Sequence, residues 1–323
     1  MSINRGDFER RCCTEMIEKV SFFAWYDRAR QQAIAANVPL LELDWLVLHL
    51  TQLDRLSLRL RSISQTPPQA TPQTTKPTAI LACIPLSEFD QRWQQRCLDR
   101  VPVQYLAGFT TWRSFELRVT PDVLIPRPET EAIIDLAIEA VGDRLDGHWV
   151  DLGTGSGAIA IGLARELEAR QAIATVHASD TSAAALAIAR QNAADCGVAD
   201  RLQFHQGSWF EPFRDRDPGF SFRALVSNPP YIPAATVDQL APEVRDREPR
   251  LALDGGDTGF DCLSVLIEQA PHWLERDGIW IVEHEASQGA ELRDQLRQRG
   301  YREVRTVCDL AGLDRFAIAR APL

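Results

Sequence analysis

From about Phe22 to Ser62, apolar residues return every three to four positions, the period of a helix with one buried face. Trp25, Ala29 and Ala33 share one such face. Leu43, Trp45, Leu46, Leu48 and Leu50 mark a second helix, and Pro39 separates the two. Trp25 and Trp45 are expected in the core. Ser64 to Thr78 is rich in Pro, Gln and Thr and has no period, so an exposed linker is expected there. A further helix is expected from about Leu86 to Asp99, with Phe89, Trp93 and Leu98 inward. Arg92, Arg96 and Arg100 recur on it at helical spacing, as a solvated face or a partner surface.

The pattern then changes. Thr111 to Ile125 carries aromatic and β-branched residues, and Pro121-Asp122 is the expected turn of a β-hairpin. A helix rich in Ile, Leu and Ala should begin after Arg127-Pro128. From Trp149 onward, short apolar runs alternate with amphipathic stretches. Strands are expected at Trp149–Leu152, Thr175–Ser179, Leu202–Phe204, Ala224–Ser227 and Ile279–Glu283, and a late pair at Glu303–Cys308 and Arg315–Ala319. Helices are expected at Ala158–Leu167, Ala183–Ala194 and Gly289–Arg299. Such alternation implies an α/β fold with a mostly parallel sheet covered on both faces. The organisation that follows is a helical region over 1–100, a hairpin linker over 101–128 and the α/β domain over 129–323.

Composition narrows the classes. The 323 residues carry 35 basic and 45 acidic side chains, a formal charge of -10. That balance disfavours a chain whose main task is gripping phosphates, and suits a basic protein partner. The seven cysteines are scattered with no C-x-x-C pair, which suggests neither a zinc cluster nor a disulfide framework; reduced thiols and no metal are expected. Met1 to Lys19 is studded with charges and lacks the apolar core of a signal peptide. No apolar run is long enough to span a bilayer. A cytoplasmic protein without membrane contact is expected.

Three places carry chemistry. Asp151-Leu152-Gly153-Thr154-Gly155-Ser156-Gly157 joins an expected strand to an expected helix. Glycines allow a sharp turn and close ligand approach, and the helix start offers free N–H groups. This is a nucleotide-binding turn, and alone it does not separate NAD from S-adenosylmethionine. Asp180 ends the next strand, where a carboxylate can take both ribose hydroxyls or simply cap a helix. Asn228-Pro229-Pro230-Tyr231 follows the apolar strand Ala224-Leu225-Val226. Two prolines offer no N–H and make a stiff loop. The Asn228 side-chain oxygen and a proline carbonyl can then accept from one planar –NH2 group, with Tyr231 on its π face.

Here the chain resembles the HemK/PrmC protein-(glutamine) methyltransferases, which modify peptide-chain release factors. The resemblance runs through Pro102 to Gly108, Leu124 to Glu131 (Leu-Ile-Pro-Arg-Pro-Glu-Thr-Glu), Asp151 to Ala160, Val226 to Ile232, Leu251 to Asp261 and Glu283 to Gln288. It implies a Rossmann-like seven-stranded S-adenosylmethionine-dependent methyltransferase domain, preceded by a small helical domain that docks the release factor and by the β-hairpin linker. It implies methyl transfer to the glutamine amide of the Gly-Gly-Gln motif in class I release factors. Gly153, Thr154, Gly155, Ser156, Gly157, Asp180 and Asn228 would hold the cofactor, and Trp209 would flank its adenine. Asn228, Pro229, Pro230 and Tyr231 would hold the glutamine, and Asn228, Pro229 and Tyr231 would serve the transfer itself. Arg127 and Glu129 lie near the glutamine pocket by motif, or form a structural ion pair at a helix start. His284 is expected to be a satisfied core group.

Two departures stand out. The family has Asp-Trp-Phe after the third strand, whereas this chain has Ser208-Trp209-Phe210 and so lacks a carboxylate for the adenine amine. The Ser64 to Thr78 linker is longer and richer in proline than is usual. Competing functions are a methyltransferase of exocyclic amines in DNA or RNA, which would need base flipping and a basic surface, and a binding module without activity. A monomer that makes no direct contact with nucleic acid is expected.

Overall fold

The apolar runs beyond residue 147 become strands because their Val, Ile, Ala and Leu side chains are buried on both faces of one sheet. The computed structural model describes residues 14–61 and 78–323. The expected linker lies outside them, save Thr78, as do Cys12 and Cys13. The chain divides into two compact units, the first ending at Ala107 and the second beginning at Gly108.

In the first unit, β1 (Glu15–Glu18) pairs antiparallel with β2 (Ala79–Ala82). Helices α1 (Lys19–Ala35), α2 (Leu40–Leu50), α3 (Arg55–Leu60), α4 (Leu86–Asp99) and α5 (Val103–Ala107) complete it. Phe22, Trp25 and Phe89 pack together inside, and Trp93 is buried as well. The Trp25 Nε1–H donates to Asp90 at 3.1 Å and the Trp93 Nε1–H to the Ala29 carbonyl at 2.9 Å, so neither indole pays for burial with a lost hydrogen bond.

Several expectations need correction here. Leu98 is 77% exposed. It lies five residues past Trp93, about 140° round the helix, whereas Arg96 continues the Phe89–Trp93 face. Arg96 is buried and forms a two-pronged ion pair with Glu42. Arg92 pairs with Glu88. The arginine row is therefore not an open basic face. Trp45 is only half-buried and stacks on His49, with centroids 4.1 Å apart. Cys83 is disulfide-bonded, against the expectation of reduced thiols, while Cys97, Cys196, Cys262 and Cys308 are free. Pairing needs only two Cα atoms a few ångströms apart, which chain order does not reveal.

The second unit opens with a hairpin, β3 (Phe109–Trp112) and β4 (Phe115–Arg118). Its turn is Arg113-Ser114, not Pro121-Asp122. Arg113 adopts φ 50°, and the turn is held from outside: the Arg113 N–H donates to Glu131 at 2.7 Å and the guanidinium to Asp135 at 3.0 Å. Trp112, Phe115 and Leu117 belong to this unit's core, so the hairpin is part of the α/β unit rather than a linker.

Helix α6 (Ala132–Val141) follows. The sheet then takes β5 (Gly147–Leu152), β6 (Ala174–Asp180), β7 (Leu202–Gln206), β8 (Phe222–Ser227), β9 (Leu274–Glu283), β10 (Arg302–Cys308) and β11 (Asp314–Arg320). Their order is β10-β11-β9-β8-β5-β6-β7. Strands β5 to β9 run parallel and β11 lies antiparallel to both neighbours. Helices α7 (Ala158–Ala169), α8 (Ala183–Asp195), α9 (Asp261–Gln269) and α10 (Gly289–Gln298) cover the sheet. Two apolar clusters fill the two faces, one around Trp149, Val176 and Ile281, the other around Val150, Leu225 and Trp280. Seven strands ending in the late pair β10 and β11, with β11 alone reversed, match the expected fold. The order reverses between β5 and β8, so a crevice opens at their carboxyl ends.

Candidate active site

Both loops marked in the sequence leave the sheet at that crevice. Leu152 and Ser227 are register partners on β5 and β8, and the Ser227 hydroxyl donates to the Leu152 carbonyl at 2.6 Å. The glycine turn starts one residue later on one side, and Asn228 one residue later on the other.

Gly153, Gly155 and Gly157 all have positive φ, at 74°, 54° and 86°. At Gly157 a Cβ would also meet the Ala189 Cβ at 3.1 Å, so the close approach of α8 requires glycine. Asp151 braces the turn from beneath. Its Oδ2 accepts from the Thr154 hydroxyl at 2.6 Å and from the Ala160 N–H at 3.1 Å. Burial pushes its carboxyl up to about 7 against these two hydrogen bonds. Thr154 and Ser156 are buried, whereas a Cβ at Gly155 would meet open space.

Asp180 accepts from the Gly155 N–H through Oδ2 and from the Ser182 N–H through Oδ1, both at 2.9 Å. The cap of α8 is Ser182, whose hydroxyl accepts from the Ala185 N–H at 3.1 Å. Asp180 is therefore not the helix cap and ties the glycine turn to the β6 end. Each of its oxygens has a lone pair left for a ligand hydroxyl. Trp209 adopts φ 48°, and its ring edge would lie 3.8 Å from a Cβ at Gly153. Ser208 is exposed, and its N–H reaches the Glu211 carboxylate at 3.4 Å.

Across the crevice, Asn228 donates from Nδ2 to Thr130 Oγ1 at 3.3 Å. The Thr130 hydroxyl donates to Glu283 Oε2 at 2.6 Å, and the Tyr231 hydroxyl donates to Glu283 Oε1 at 3.0 Å. Burial pushes the Glu283 carboxyl up, while these hydrogen bonds and the nearby Arg315 pull it down. Burial and the Glu283 charge push the Tyr231 hydroxyl up, so it stays a neutral donor. Pro229 is buried. Pro230 turns its carbonyl towards Gly255, where a Cβ would come within 2.9 Å.

Arg127 pairs with the buried Glu248 at 2.7 Å, and Glu248 also approaches the Ile125 N–H at 3.4 Å. Its partner is thus not Glu129, which is exposed and adds its charge near Glu283. His284 is buried but only half satisfied: Nδ1 lies 2.9 Å from the Glu285 carbonyl and Nε2 has no protein partner. The satisfied-core expectation holds for one nitrogen only.

Thr130, Glu283 and Gln288 were missed as site residues by the pattern reading. Each lies inside a quoted motif, and the signal was there: a carboxylate closing the apolar run Ile279–Val282 must find partners when buried. Among the described residues no group of three or more His, Cys, Asp or Glu could hold a metal ion, and no helix is long and apolar enough to cross a membrane.

Residues 133–244 match the family model described as "Methyltransferase small domain". The chain is 43% identical over 304 residues to "Release factor glutamine methyltransferase" of Synechocystis sp., covering 93% of this chain and 96% of that protein. The protein of the same name from Gloeobacter violaceus is 39% identical, covering 92% and 96%. The catalytic domain of hMettl16, solved in complex with MAT2A 3'UTR hairpin 6, superposes with a TM-score of 0.51 at 16% identity over 72% of this chain and 81% of that one. At that identity the likeness concerns the fold alone.

Proposed function

The chain belongs to the release factor glutamine methyltransferases, and on that premise we propose that it methylates the side-chain amide nitrogen of the Gly-Gly-Gln glutamine in class I release factors. The methyl donor is S-adenosylmethionine, which when bound supplies a methyl group on a sulfonium with its own leaving group. The residues present fit it: a glycine turn open at Gly155, the Asp180 carboxylate at the end of the adjacent strand, and the Trp209 ring over Gly153. The observation that carries the reading is the Leu152–Ser227 pairing, which puts this turn and the Asn228 loop side by side.

An amide nitrogen is a weak nucleophile because its lone pair is delocalised into the carbonyl. Asn228 Oδ1 and the Pro229 carbonyl would each accept one of its two hydrogens and hold it in line for attack. Fixing geometry in this way supplies about 7–11 kcal/mol. As nitrogen begins to share its lone pair, its N–H bonds grow more polar and both acceptors bind more strongly. That difference is what accelerates a reaction. The roles assigned here all fall to the second unit, and docking of the release factor is assigned to the first. A nucleic-acid amine as substrate is not favoured, given the charge of -10 and the relatives' names.

The test is transfer of labelled methyl from S-adenosylmethionine to a purified release factor, to the same factor with its target glutamine changed to glutamate, and to total nucleic acid. Label is expected in the first alone. Asn228→Ala should lower kcat by about 10²–10³ and leave cofactor affinity near wild type. Label in nucleic acid with none in the factor would sink the reading.

A further inference from the structure

A side-chain amide has two ends, and only one of them suits a target –NH2. Thr130 and Glu283 are 4% and 2% exposed, so their hydrogen bonds are decided inside the protein. Glu283 takes a hydroxyl on each oxygen, from Thr130 at 2.6 Å and from Tyr231 at 3.0 Å. Arg315 adds a positive charge beside it, and Glu129 is the opposing carboxylate. Both contacts make Glu283 the acceptor, and a threonine hydroxyl has one hydrogen. The Thr130 hydrogen is thus committed to Glu283, and only a lone pair is left for Asn228. The amide must offer Nδ2 to it, as the 3.3 Å contact has it. Oδ1 is then the end free for a ligand.

We propose that Thr130 and Glu283 are positioning residues that set the polarity of Asn228, so that the site accepts a –NH2 group and disfavours a carboxylate in its place. The proposal rests on the assignment of Asn228 as the residue that reads the target amide. Glu283 accepts, Thr130 relays and Asn228 presents its oxygen. Without the Thr130 hydroxyl the Asn228 amide can turn over. Its –NH2 would then face the ligand and favour a glutamate there.

The experiment uses the full chain, with a release factor as substrate and its glutamine-to-glutamate form as competitor. Thr130→Val and Thr130→Ala remove the relay, and the alanine variant makes the smaller demand on packing should valine fail to fold. Each should lose about tenfold in kcat, the worth of one hydrogen bond, with KM for S-adenosylmethionine unchanged. In each, inhibition by the glutamate form should tighten about tenfold. Thr130→Ser keeps the hydroxyl and should restore both values. A purely structural Thr130 would not change the ratio between the glutamine and glutamate forms. Wild-type kcat and wild-type inhibition in Thr130→Ala overturn the proposal while leaving the proposed function standing. A wild-type chain that leaves the release factor unlabelled overturns both.

Discussion

Gln288 holds the Asn228–Tyr231 loop by its backbone: its Nε2 donates to the Tyr231 carbonyl at 3.0 Å and to the Gly259 carbonyl at 3.1 Å. Its Oε1 accepts from the Glu285 N–H at 3.0 Å, which fixes which end of the amide faces the loop. Gly259 has φ 78°, and a Cβ there would lie 2.3 Å from the Tyr231 carbonyl oxygen. Gly259→Ala should therefore displace the loop. The expected cost is about 1–3 kcal/mol of stability, with a fall in kcat larger than any change in cofactor affinity. Thermal melting and steady-state kinetics check this, and an unchanged kcat with an unchanged Tm would refute the bracing role.

Asp180→Ala removes the acceptor for the Gly155 N–H and the carboxylate proposed to hold the ribose. Loss of hydrogen bonds to a charged group costs about 1.5–3 kcal/mol. Calorimetry should show S-adenosylmethionine binding weakened correspondingly, with no gain in NAD binding. Full-strength binding by the variant would contradict the assignment.

Arg127 reads as structural, because its guanidinium neutralises the buried Glu248. Burial pushes the Glu248 carboxyl up, and Arg127 is what pulls it back. Arg127→Ala should lower stability by about 1–3 kcal/mol, the pair being partly open to solvent. Pairing it with Glu248→Gln should recover part of that loss. A raised KM for the release factor with an unchanged Tm would instead put Arg127 against the substrate.

A row of three histidines crosses β5, β6 and β7. His177 lies 3.0 Å from His148 through Nε2 and 3.0 Å from His205 through Nδ1, with Phe213, Phe220 and Phe222 around it. Burial pushes His177 down to about 3 and His205 to about 4, and lowers His148. Neighbouring histidines, Arg190 and Arg216 add to these shifts, while Glu275 opposes the one at His148. The row is therefore neutral when folded, and its members take up protons below about 6.5 when unfolded. Its contribution is fully present above that pH and is lost as pH falls towards the folded values. The Tm should drop between about pH 7 and pH 5, and His177→Gln should flatten part of the slope. Parallel slopes in the two proteins would rule the row out as the cause.

Seven strands and the helices α7, α8 and α10 were legible in the sequence because periodicity is a local property, whereas α9 was not among the expected helices. Each run from Trp149–Leu152 to Arg315–Ala319 states by its own apolar residues that the segment avoids water, whatever lies opposite. The glycine turn and the Asn-Pro-Pro-Tyr loop were legible for the same reason, since backbone freedom at Gly157 and rigidity at Pro229 are written into the residues themselves. Local reading failed where a distant partner overrides propensity. Pro121-Asp122 has the chemistry of a turn, yet the hairpin turns at Arg113, held by Glu131 and Asp135 from the following helical segment. Arg96 has the character of a surface residue, yet Glu42 draws it inside.

The site shows the same division. Composition and spacing named Asn228, but the tertiary structure alone placed its loop beside the glycine turn, because β8 pairs with β5 out of chain order. Only the fold brings Thr130 to Glu283 across 153 positions and gives that pair a say over Asn228. The physical reason is that a hydrogen bond has direction. Which residue donates and which accepts depends on who is buried against whom, and that is settled when the sheet closes over its partners.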